Sequence, residues 1–388
     1  MGPKQGSNSS IKPLYLERFR VLNEVQSGHL TQLEAANVLG VSDRQIRRML
    51  QRLDAEGLEG LINKNTGQAG HHRKPEEEKD KILKFHRDLY PDAGPTFFAD
   101  LLKENHQLSV SHETLRLWLD EDGQRESTPA KPRHRRRRDR KPCLGSMVQL
   151  DTSVHDWFRT GENSYLILFI DDATNTIDGR FYETDSTRTN MAAMKGYIER
   201  HGCPDAFYVD KASHFRVNRG EKSEDIVDPS NKELTQIERA LGECGIRLIH
   251  ANSPQAKGRI ERKFATLQDR LEKRLHYDNI KDIDSANEYL KSYYLQLHNA
   301  KFACEPMSSI NLHKPPIGLD LDAIFSIHVQ RVVTNDFTFS LDRVKFQIER
   351  NNDLHWLRRK KVLIEKRLDG SLEVRHLGKY LRFSMLDT

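Results

Sequence analysis

The sequence predicts a multidomain protein with N-terminal all-α helix-turn-helix units, a central α/β domain with a mixed five-stranded sheet, and a C-terminal small β-barrel. Three observations lead to this fold class. The chain has 388 residues, more than one ordinary core holds, so several domains are expected. Capped amphipathic helices come first. Strand and helix patterns alternate in the middle, and short β runs come last.

Changes in these patterns set the predicted domain boundaries. The helical patterns end before a proline-flanked basic stretch, and the alternating patterns end before the last β runs. The predicted divisions are a helix-turn-helix domain at 1–70, a second helical DNA-binding unit at 71–124, a basic linker at 125–146, the α/β domain at 147–300, a linker at 301–327 and the small β-barrel domain at 328–388.

The composition is that of a protein that works in water. Hydrophobic residues make up 36% of the chain and charged residues 31%. No apolar run is long enough to span a bilayer and no signal-peptide pattern is present, so no membrane partner and a cytoplasmic location are expected. The four cysteines lie far apart, which indicates reduced thiols and argues against a zinc site.

Residues 14–57 have the pattern of three helices. Thr31 with Glu34, and Ser42 with Gln45, fit the capping box that marks a helix start. Between the two caps, Gly40 occupies a tight turn that favours a left-handed residue. Two helices joined by such a turn are typical of a helix-turn-helix.

The helix after Ser42 has one apolar and one basic face. Ile46, Met49 and Leu53 recur at helical spacing and predict a core stripe. The opposite face predicts entry into the DNA major groove, and the alternative is a small bundle with a solvated basic face. The side chains predicted to contact DNA are Arg44, Gln45, Arg47, Arg48, Gln51 and Arg52.

Residues 74–123 repeat this theme less clearly. One helix follows Pro75, a second runs through Phe97, and a third begins near Ser111. A second DNA-binding unit and a purely structural bundle are both open. Trp118, on the third helix, is expected in the core rather than stacked on a base.

Positive charge is concentrated in one segment. From Arg125 to Ser146 there are nine Lys and Arg against two acidic residues, whereas the whole chain has a net charge of only +5. The segment has no apolar periodicity, so it predicts an extended linker that contacts DNA phosphates or a minor groove, the alternative being a solvated tail. The residues predicted to do so are Arg133, Arg135, Arg136, Arg137, Arg138 and Arg140.

The central segment alternates between strand and helix patterns, with a polar insertion at about 213–230. The predicted strands are 147–154, 164–170, 176–183, one ending at Asp210, and 246–251. The predicted helices are 187–201, 231–244, 255–273 and 283–299.

Three acidic residues stand at informative places in this pattern. Asp151 and Asp210 follow short apolar runs, and Glu261 lies near the start of the helix after Pro254. A single aspartate at a strand end is usually a turn or cap residue. Three carboxylates from two strand ends and one helix, however, suit a pair of Mg²⁺ or Mn²⁺ ions for phosphodiester chemistry.

The helical wheel places Glu261 on one flank of an apolar stripe that faces the sheet. Gln268 shares its flank, whereas Arg259, Lys263 and Arg270 lie on the other and are expected to stay free for DNA phosphate. The residues predicted to contact DNA around this helix are Lys257, Arg259, Arg262 and Lys263.

Together these residues resemble the catalytic core of bacterial insertion-sequence transposases related to retroviral integrases. The resemblance rests on Asp151, on Asp210 and on the segment Ser253-Pro254-Gln255-Ala256-Lys257-Gly258-Arg259-Ile260-Glu261-Arg262. It extends to the segments around 150–158 and 169–174, and covers about residues 15–325. The Pro-Gln-x-x-Gly-x-x-Glu-Arg element is its most specific part.

The resemblance implies a fold, a site and partners. The fold is RNase H-like at 147–300, and Asp151, Asp210 and Glu261 are catalytic ligands of two Mg²⁺ or Mn²⁺ ions. The implied activity is cleavage and strand transfer on double-stranded DNA, at transposon-end inverted repeats and a target, by a homodimer or larger synaptic assembly on the nucleoid. The alternatives are a catalytically silent regulator derived from a transposase and a retroelement integrase, for which the expected N-terminal His/Cys zinc module is missing from the sequence.

One departure concerns the spacing within the triad. Fifty residues separate Asp210 from Glu261, more than in compact integrases, because of the polar insertion. His214, inside it, is a weak candidate for assisting a second metal. The neighbouring carboxylates Asp156, Asp171 and Asp172 are not expected to be ligands, and the latter two are predicted turn residues. For His155 and Trp157, contact with DNA and a core or edge position are both open.

Short β runs with turns between them predict the C-terminal barrel. Binding DNA and mediating assembly are both open for it. The runs are Val329–Val333, Thr338–Ser340, Val344–Ile348, Lys361–Glu365, Leu372–His376 and Tyr380–Phe383.

Overall fold

The computed structural model describes residues 13–62, 74–124, 139–210, 234–251, 258–349 and 355–386. Backbone contacts divide the chain into two compact units, Met1–Lys81 and Ile82–Thr388. Among the helices within these ranges, none combines the length and apolar character that crossing a membrane requires.

The first unit contains the three predicted helices. Thr31 forms a capping box with Glu34, and the Ser42 side chain accepts a hydrogen bond from the backbone of Gln45. Gly40 is left-handed, with φ of 63°, so the turn has the predicted conformation. Ile46 is fully buried in the core that the helices share. The helices are α1 (Pro13–Gln26), α2 (Gln32–Leu39) and α3 (Asp43–Glu56), followed by a 3₁₀ turn, Gly57–Leu61.

The next three helices also match the predicted ones, and the first of them crosses the boundary between the units. They are α4 (Glu76–Leu89), α5 (Pro95–His106) and α6 (His112–Glu121). Phe97 and Leu115 lie in their common core, and Trp118 packs against it partly buried, as predicted.

A mixed five-stranded sheet forms the centre of the second unit, as predicted. Its order is β4-β3-β2-β5-β6. The pairs β4–β3 and β3–β2 are antiparallel, and the pairs β2–β5 and β5–β6 are parallel. This order and these directions match the RNase H-like arrangement. The strands are β2 (Val148–His155), β3 (Ser164–Asp171), β4 (Ile177–Tyr182), β5 (Ala206–Val209) and β6 (Arg247–His250), after a short β1 (Cys143–Leu144).

Helices cover both faces of this sheet. Strand β3 alternates, so that Ile167 packs toward one helical layer and Leu168 toward the other. The first layer holds α7 (Thr187–His201) and α8 (Gln236–Glu243), and the second holds α9 (Gly258–Tyr277), α10 (Ile283–Tyr289) and α11 (Leu295–Phe302). A π turn, Leu290–Tyr294, joins α10 to α11 where one continuous helix was predicted.

The segment predicted as a linker at 301–327 contains structure of its own. Strand β7 (Ser308–Asn311) pairs with β1, and α12 (Leu321–Ile324) packs against the α7–α8 layer. Both elements are too short for a hydrophobic period to reveal them.

The C-terminal module is built from two antiparallel sheets that share one core, and the predicted closed barrel is not found among its described residues. One sheet has the order β13-β12-β11-β8 and the other β14-β10-β9. The strands are β8 (Ile327–Val332), β9 (Thr338–Leu341), β10 (Val344–Ile348), β11 (Lys361–Lys366), β12 (Leu372–His376), β13 (Lys379–Leu381) and β14 (Phe383–Met385).

Candidate active site

Two of the three predicted carboxylates belong to neighbouring parts of the sheet, Asp151 to β2 and Asp210 to the residue after β5. Strands β2 and β5 are paired in parallel with Val148 opposite Phe207. Continuing that register by three residues sets Asp151 beside Asp210, the residue that follows β5. Neighbouring strands lie about 4.8 Å apart, so the two backbones are within reach of one ion. Both side chains are partly exposed.

Asp151 lies on the α9 face of β2. Val148 and Leu150 pack with α7 and α8, so Gln149, Asp151 and Ser153 point to the other side. The Gln268 amide of α9 lies 3.5 Å from the Ser153 hydroxyl, which brings this face of the strand against that helix.

Glu261 is an exposed residue of the first turn of α9. It stands seven residues before Gln268, and two helical turns bring side chains to the same flank within about 20°. Along the helix axis, Glu261 lies about 10 Å from Gln268. On β2 the same distance corresponds to about three residues, counted from Ser153 toward the start of the strand. Glu261 is therefore on the flank that faces β2, near the level of Asp151.

The three carboxylates do not converge on one point in this structure. Within the described ranges, no group of three His, Cys, Asp or Glu side chains is arranged to hold a metal ion. The donor set itself fits a divalent metal, because carboxylate oxygens are the ligands that Mg²⁺ and Mn²⁺ prefer. The assignment of Asp151, Asp210 and Glu261 as ligands stays a prediction.

Several predicted features lie outside the described residues. They are most of the Pro-Gln-containing segment with Lys257, the insertion at 213–230 with His214, and linker residues Arg133, Arg135, Arg136, Arg137 and Arg138.

Asp171 is the last residue of β3 and Asp172 begins the turn to β4, close to where both were predicted. One oxygen of Asp171 accepts the backbone N–H groups of Ala173 and Thr174 at 3.0 and 2.8 Å. Asp172 is fully buried and accepts hydrogen bonds from Gln149, at 2.8 Å, and from Arg259. Asp156 caps the turn between β2 and β3 by accepting the N–H of Gly161 at 2.8 Å.

The basic flank of α9 is not free for phosphate, and this part of the prediction is wrong. Arg259 pairs with Asp172, and Arg270 lies 2.6 Å from Asp100. Lys263 is buried, with its ammonium 3.1 Å from His298, and burial lowers its pKa to about 8. The predicted buried face of α9 was too narrow. Helices α5 and α11 pack against the flank of α9 that was expected to face solvent.

Arg262 is exposed, and its Nε donates to the Gly258 carbonyl at 2.9 Å, so its predicted DNA contact stays open. Trp157 is fully buried, which resolves its two predicted positions in favour of the core. His155 lies 2.8 Å from Glu272 of α9, at the edge of the same core.

The end of the predicted basic linker is attached to the sheet. The Arg140 guanidinium donates to the Asp172 carbonyl at 3.3 Å, and the Lys141 N–H donates to the Asp172 carboxylate at 2.9 Å. Gly145 donates to Asp171 at 2.8 Å. The last part of the linker is therefore an ordered strap at the β3–β4 turn.

The predicted DNA-reading face of α3 is exposed. It carries an ion pair between Arg47 and Asp43 within one helical turn. Contact with DNA stays a prediction for the residues on this face, which are Arg44, Gln45, Arg47, Arg48, Gln51 and Arg52.

Helix α5 is clamped onto α9 by a set of contacts that the sequence interpretation missed. Asp100 and Glu104 of α5 pair with Arg270 and Arg274 of α9, at 2.6 and 2.5 Å. The two guanidiniums also lie over the Phe97 ring, at 5.2 and 5.3 Å from its centroid. The available signal was the matching four-residue spacing of opposite charges on two amphipathic helices.

Comparison with known proteins gives relatives over most of the chain. Residues 17–69 match a family described as a helix-turn-helix domain. A Sinorhizobium fredii protein named as a transposase, y4bF, is 37% identical over 377 residues, which are 96% of this chain and 81% of that protein. The transposase for insertion sequence IS1202 of Streptococcus pneumoniae is 27% identical over 395 residues, 92% of this chain and 83% of that one.

Solved structures overlap more loosely. The simian T-cell lymphotropic virus intasome in complex with a PP2A regulatory subunit is 12% identical, with a TM-score of 0.34, over 78% of this chain and 98% of that one. The HTLV-2 integrase catalytic core domain with magnesium is 13% identical, with a TM-score of 0.29, over 39% and 90%.

Proposed function

The chain belongs to the transposases, and from that premise we propose that it binds transposon-end inverted repeats and catalyses metal-dependent DNA cleavage and strand transfer. The observation that supports the catalytic part is the parallel pairing of β2 with β5, whose register, if continued for two residues past Gln149 and Tyr208, would bring Asp151 and Asp210 together. The flank that Glu261 shares with Gln268 supports the third position, because Gln268 reaches β2.

In this proposal the three carboxylates hold Mg²⁺ or Mn²⁺, two ions per site. Ions bound there neutralise charge on the phosphate and help to activate the attacking oxygen and stabilise the leaving one. The sheet fixes the direction of Asp151 and Asp210, and α9 supplies Glu261 from the side. The exposed arginines of α3 bind the ends in the major groove.

Joining two ends at one target requires two active sites, so the partner is a second copy of the chain in a dimer or a larger assembly on DNA. The basic stretch at 125–138 contacts phosphate near the cleavage site in this scheme.

The test is a joining assay with purified protein, labelled end DNA and Mg²⁺ or Mn²⁺. We expect strand transfer by the natural chain, and its loss with retained end binding in Asp151→Asn, Asp210→Asn and Glu261→Gln. Asp156→Asn is the matched control, because that carboxylate caps a turn, and it should keep activity. End binding without joining by the natural chain would favour the silent regulator.

A further inference from the structure

A single buried carboxylate connects the three segments that surround the proposed metal site. Asp172 follows β3 and is 0% exposed. Its carboxylate accepts from the Gln149 amide at 2.8 Å, from the Lys141 N–H at 2.9 Å and from the Arg259 guanidinium. These donors belong to β2, to the end of the basic segment and to α9.

Two of these donors lie two residues before a proposed ligand. Gln149 precedes Asp151 on the same face of β2, and Arg259 precedes Glu261 in the first turn of α9. A second contact, between Gln268 and Ser153, lies farther along both elements. The path from Arg259 to Gln268 is about 13 Å along the helix, and that from Gln149 to Ser153 is about 13 Å along the strand. The helix is therefore held against β2 at two points of equal spacing, with Asp151 and Glu261 between them.

Burial makes this carboxylate a strong constraint. A charge removed from water is stable only when it is paired and hydrogen-bonded, so Asp172 fixes its donors in place. The Arg259 side chain is only 17% exposed, and the residues just before α9, 252–257, lie outside the described part of the chain. The Asp172–Arg259 pair therefore attaches α9 two residues before Glu261, on the side of the β3–β4 turn, while Lys263 contacts His298 of α11 two residues after it.

We propose that Asp172 is a positioning residue, which through Arg259 and Gln149 sets Glu261 at the level of Asp151 so that the carboxylates bind metal together. This inference rests on the proposed function. It differs from the prediction that Asp172 is only a turn residue, because the turn itself is capped by Asp171.

Asp178 offers a matched control. It is also buried, at 6% exposed, and it lies on the same sheet and pairs with Arg200 at 2.9 Å and His201 at 2.7 Å. Both partners belong to α7, so its loss affects neither α9 nor the proposed ligands. Asp172→Asn and Asp178→Asn should therefore lower the melting temperature to a similar extent.

The deciding measurement is Mn²⁺ affinity of the full chain, by electron paramagnetic resonance, without DNA. Outer-shell partners of metal ligands typically contribute about 10- to 100-fold in affinity. We expect Asp172→Asn to weaken Mn²⁺ binding by about tenfold or more on that scale, and Asp178→Asn to leave it unchanged. Equal Mn²⁺ affinity in both variants would overturn the proposal and leave Asp172 a purely structural residue.

Variants of the partner keep the test valid if Asp172→Asn does not fold. Arg259→Met should weaken Mn²⁺ binding, and Arg259→Lys, which retains the ion pair, should restore most of it. Failure of Arg259→Met to change the affinity would contradict the proposal. Asp151→Asn tests the triad itself: unchanged Mn²⁺ affinity there would refute the proposed ligands, whereas joining activity is a separate readout.

Discussion

The contact between α5 and α9 predicts a measurable coupling between two charged side chains. Arg270 has a side chain that is 10% exposed, lies 2.6 Å from Asp100 and stacks over the Phe97 ring at 5.2 Å. Arg270→Met keeps an unbranched apolar stem in the same space and removes only the charge and its hydrogen bond.

The magnitude follows from what each substitution leaves unpaired. Lys301 also pairs with Asp100, so Arg270→Met does not strand a buried charge. Its cost is one charge-assisted hydrogen bond with part of a cation–π contact, about 2 kcal/mol. Asp100→Asn leaves both cations without their carboxylate. Asp100 is 21% exposed and Lys301 36% exposed, so the cost should be about 2–3 kcal/mol, at or below the low end for a fully buried pair.

The two changes should not be additive. Once Asp100 is neutral, replacing Arg270 costs little further stability, because the replacement also removes a guanidinium charge that has lost its partner. The double variant should therefore be more stable than the sum of the single effects indicates, by about 1–2 kcal/mol.

The assay is urea unfolding of the full chain followed by tryptophan fluorescence. Trp118 lies against the helical core and Trp157 in the core beside α9, and Trp356→Phe removes the third signal. Lys273→Met is the control, because its partner Asp269 is 51% exposed and such a pair contributes below about 1 kcal/mol. Strict additivity of Asp100→Asn and Arg270→Met would refute the clamp.

Three further predictions concern other parts of the chain. Lys263→Met should leave end-DNA affinity unchanged in a filter-binding assay and should not lower the melting temperature, because the ammonium is buried. Weaker DNA binding by this variant would instead support the original prediction that Lys263 contacts phosphate. Burial raises the pKa of Asp100 and Asp178, but hydrogen bonds and charge from their basic partners outweigh it and hold both pKa values below the usual value of an aspartate. The two ionised carboxylates therefore stabilise the fold above the pKa of an unfolded aspartate, and this stabilisation is lost as the pH falls through their lower pKa values in the folded protein. In Asp178→Asn, the melting temperature should consequently fall less steeply between neutral and acid pH than in the natural chain. The same pH dependence in both proteins would contradict this. Neutralising Arg135–Arg138 should weaken DNA binding and reduce its salt dependence, since up to about four phosphate contacts are removed, and an unchanged slope would make the segment only a spacer.

Much of the fold was predictable because local patterns decide it. The helix predicted at 187–201 is found at Thr187–His201, and the caps at Thr31 and Ser42 begin helices as expected. Strand β3 was recognisable from a run of apolar residues, most of them buried. These features depend on residues that lie close together in sequence.

The features that sequence interpretation missed depend on distant partners. Lys263 has the spacing of an exposed residue, and only the packing of α11 against α9 buries it. Asp172 was correctly assigned to a turn, but its pairing with Arg259 crosses 87 residues of sequence. The two C-terminal sheets share the strand pattern of a barrel, since alternation does not specify closure.

In the candidate site, too, local sequence patterns predict some positions, whereas others depend on contacts between distant residues. Asp210 follows the end of β5, as predicted, whereas Asp151 lies inside β2 and not at a strand end. Their proximity is inferred from the parallel pairing of β2 with β5. The position of Glu261 along α9 relative to β2 required the Gln268–Ser153 contact, which a helical wheel alone does not supply.

The central claim is that Asp151, Asp210 and Glu261 act as one metal site on end DNA. The most direct measurement is anomalous diffraction from crystals of the full chain bound to end DNA and soaked with Mn²⁺. We predict anomalous peaks within coordination distance of all three carboxylates. Peaks that lie away from Glu261, or beside Asp171 and Asp172 instead, would contradict the claim.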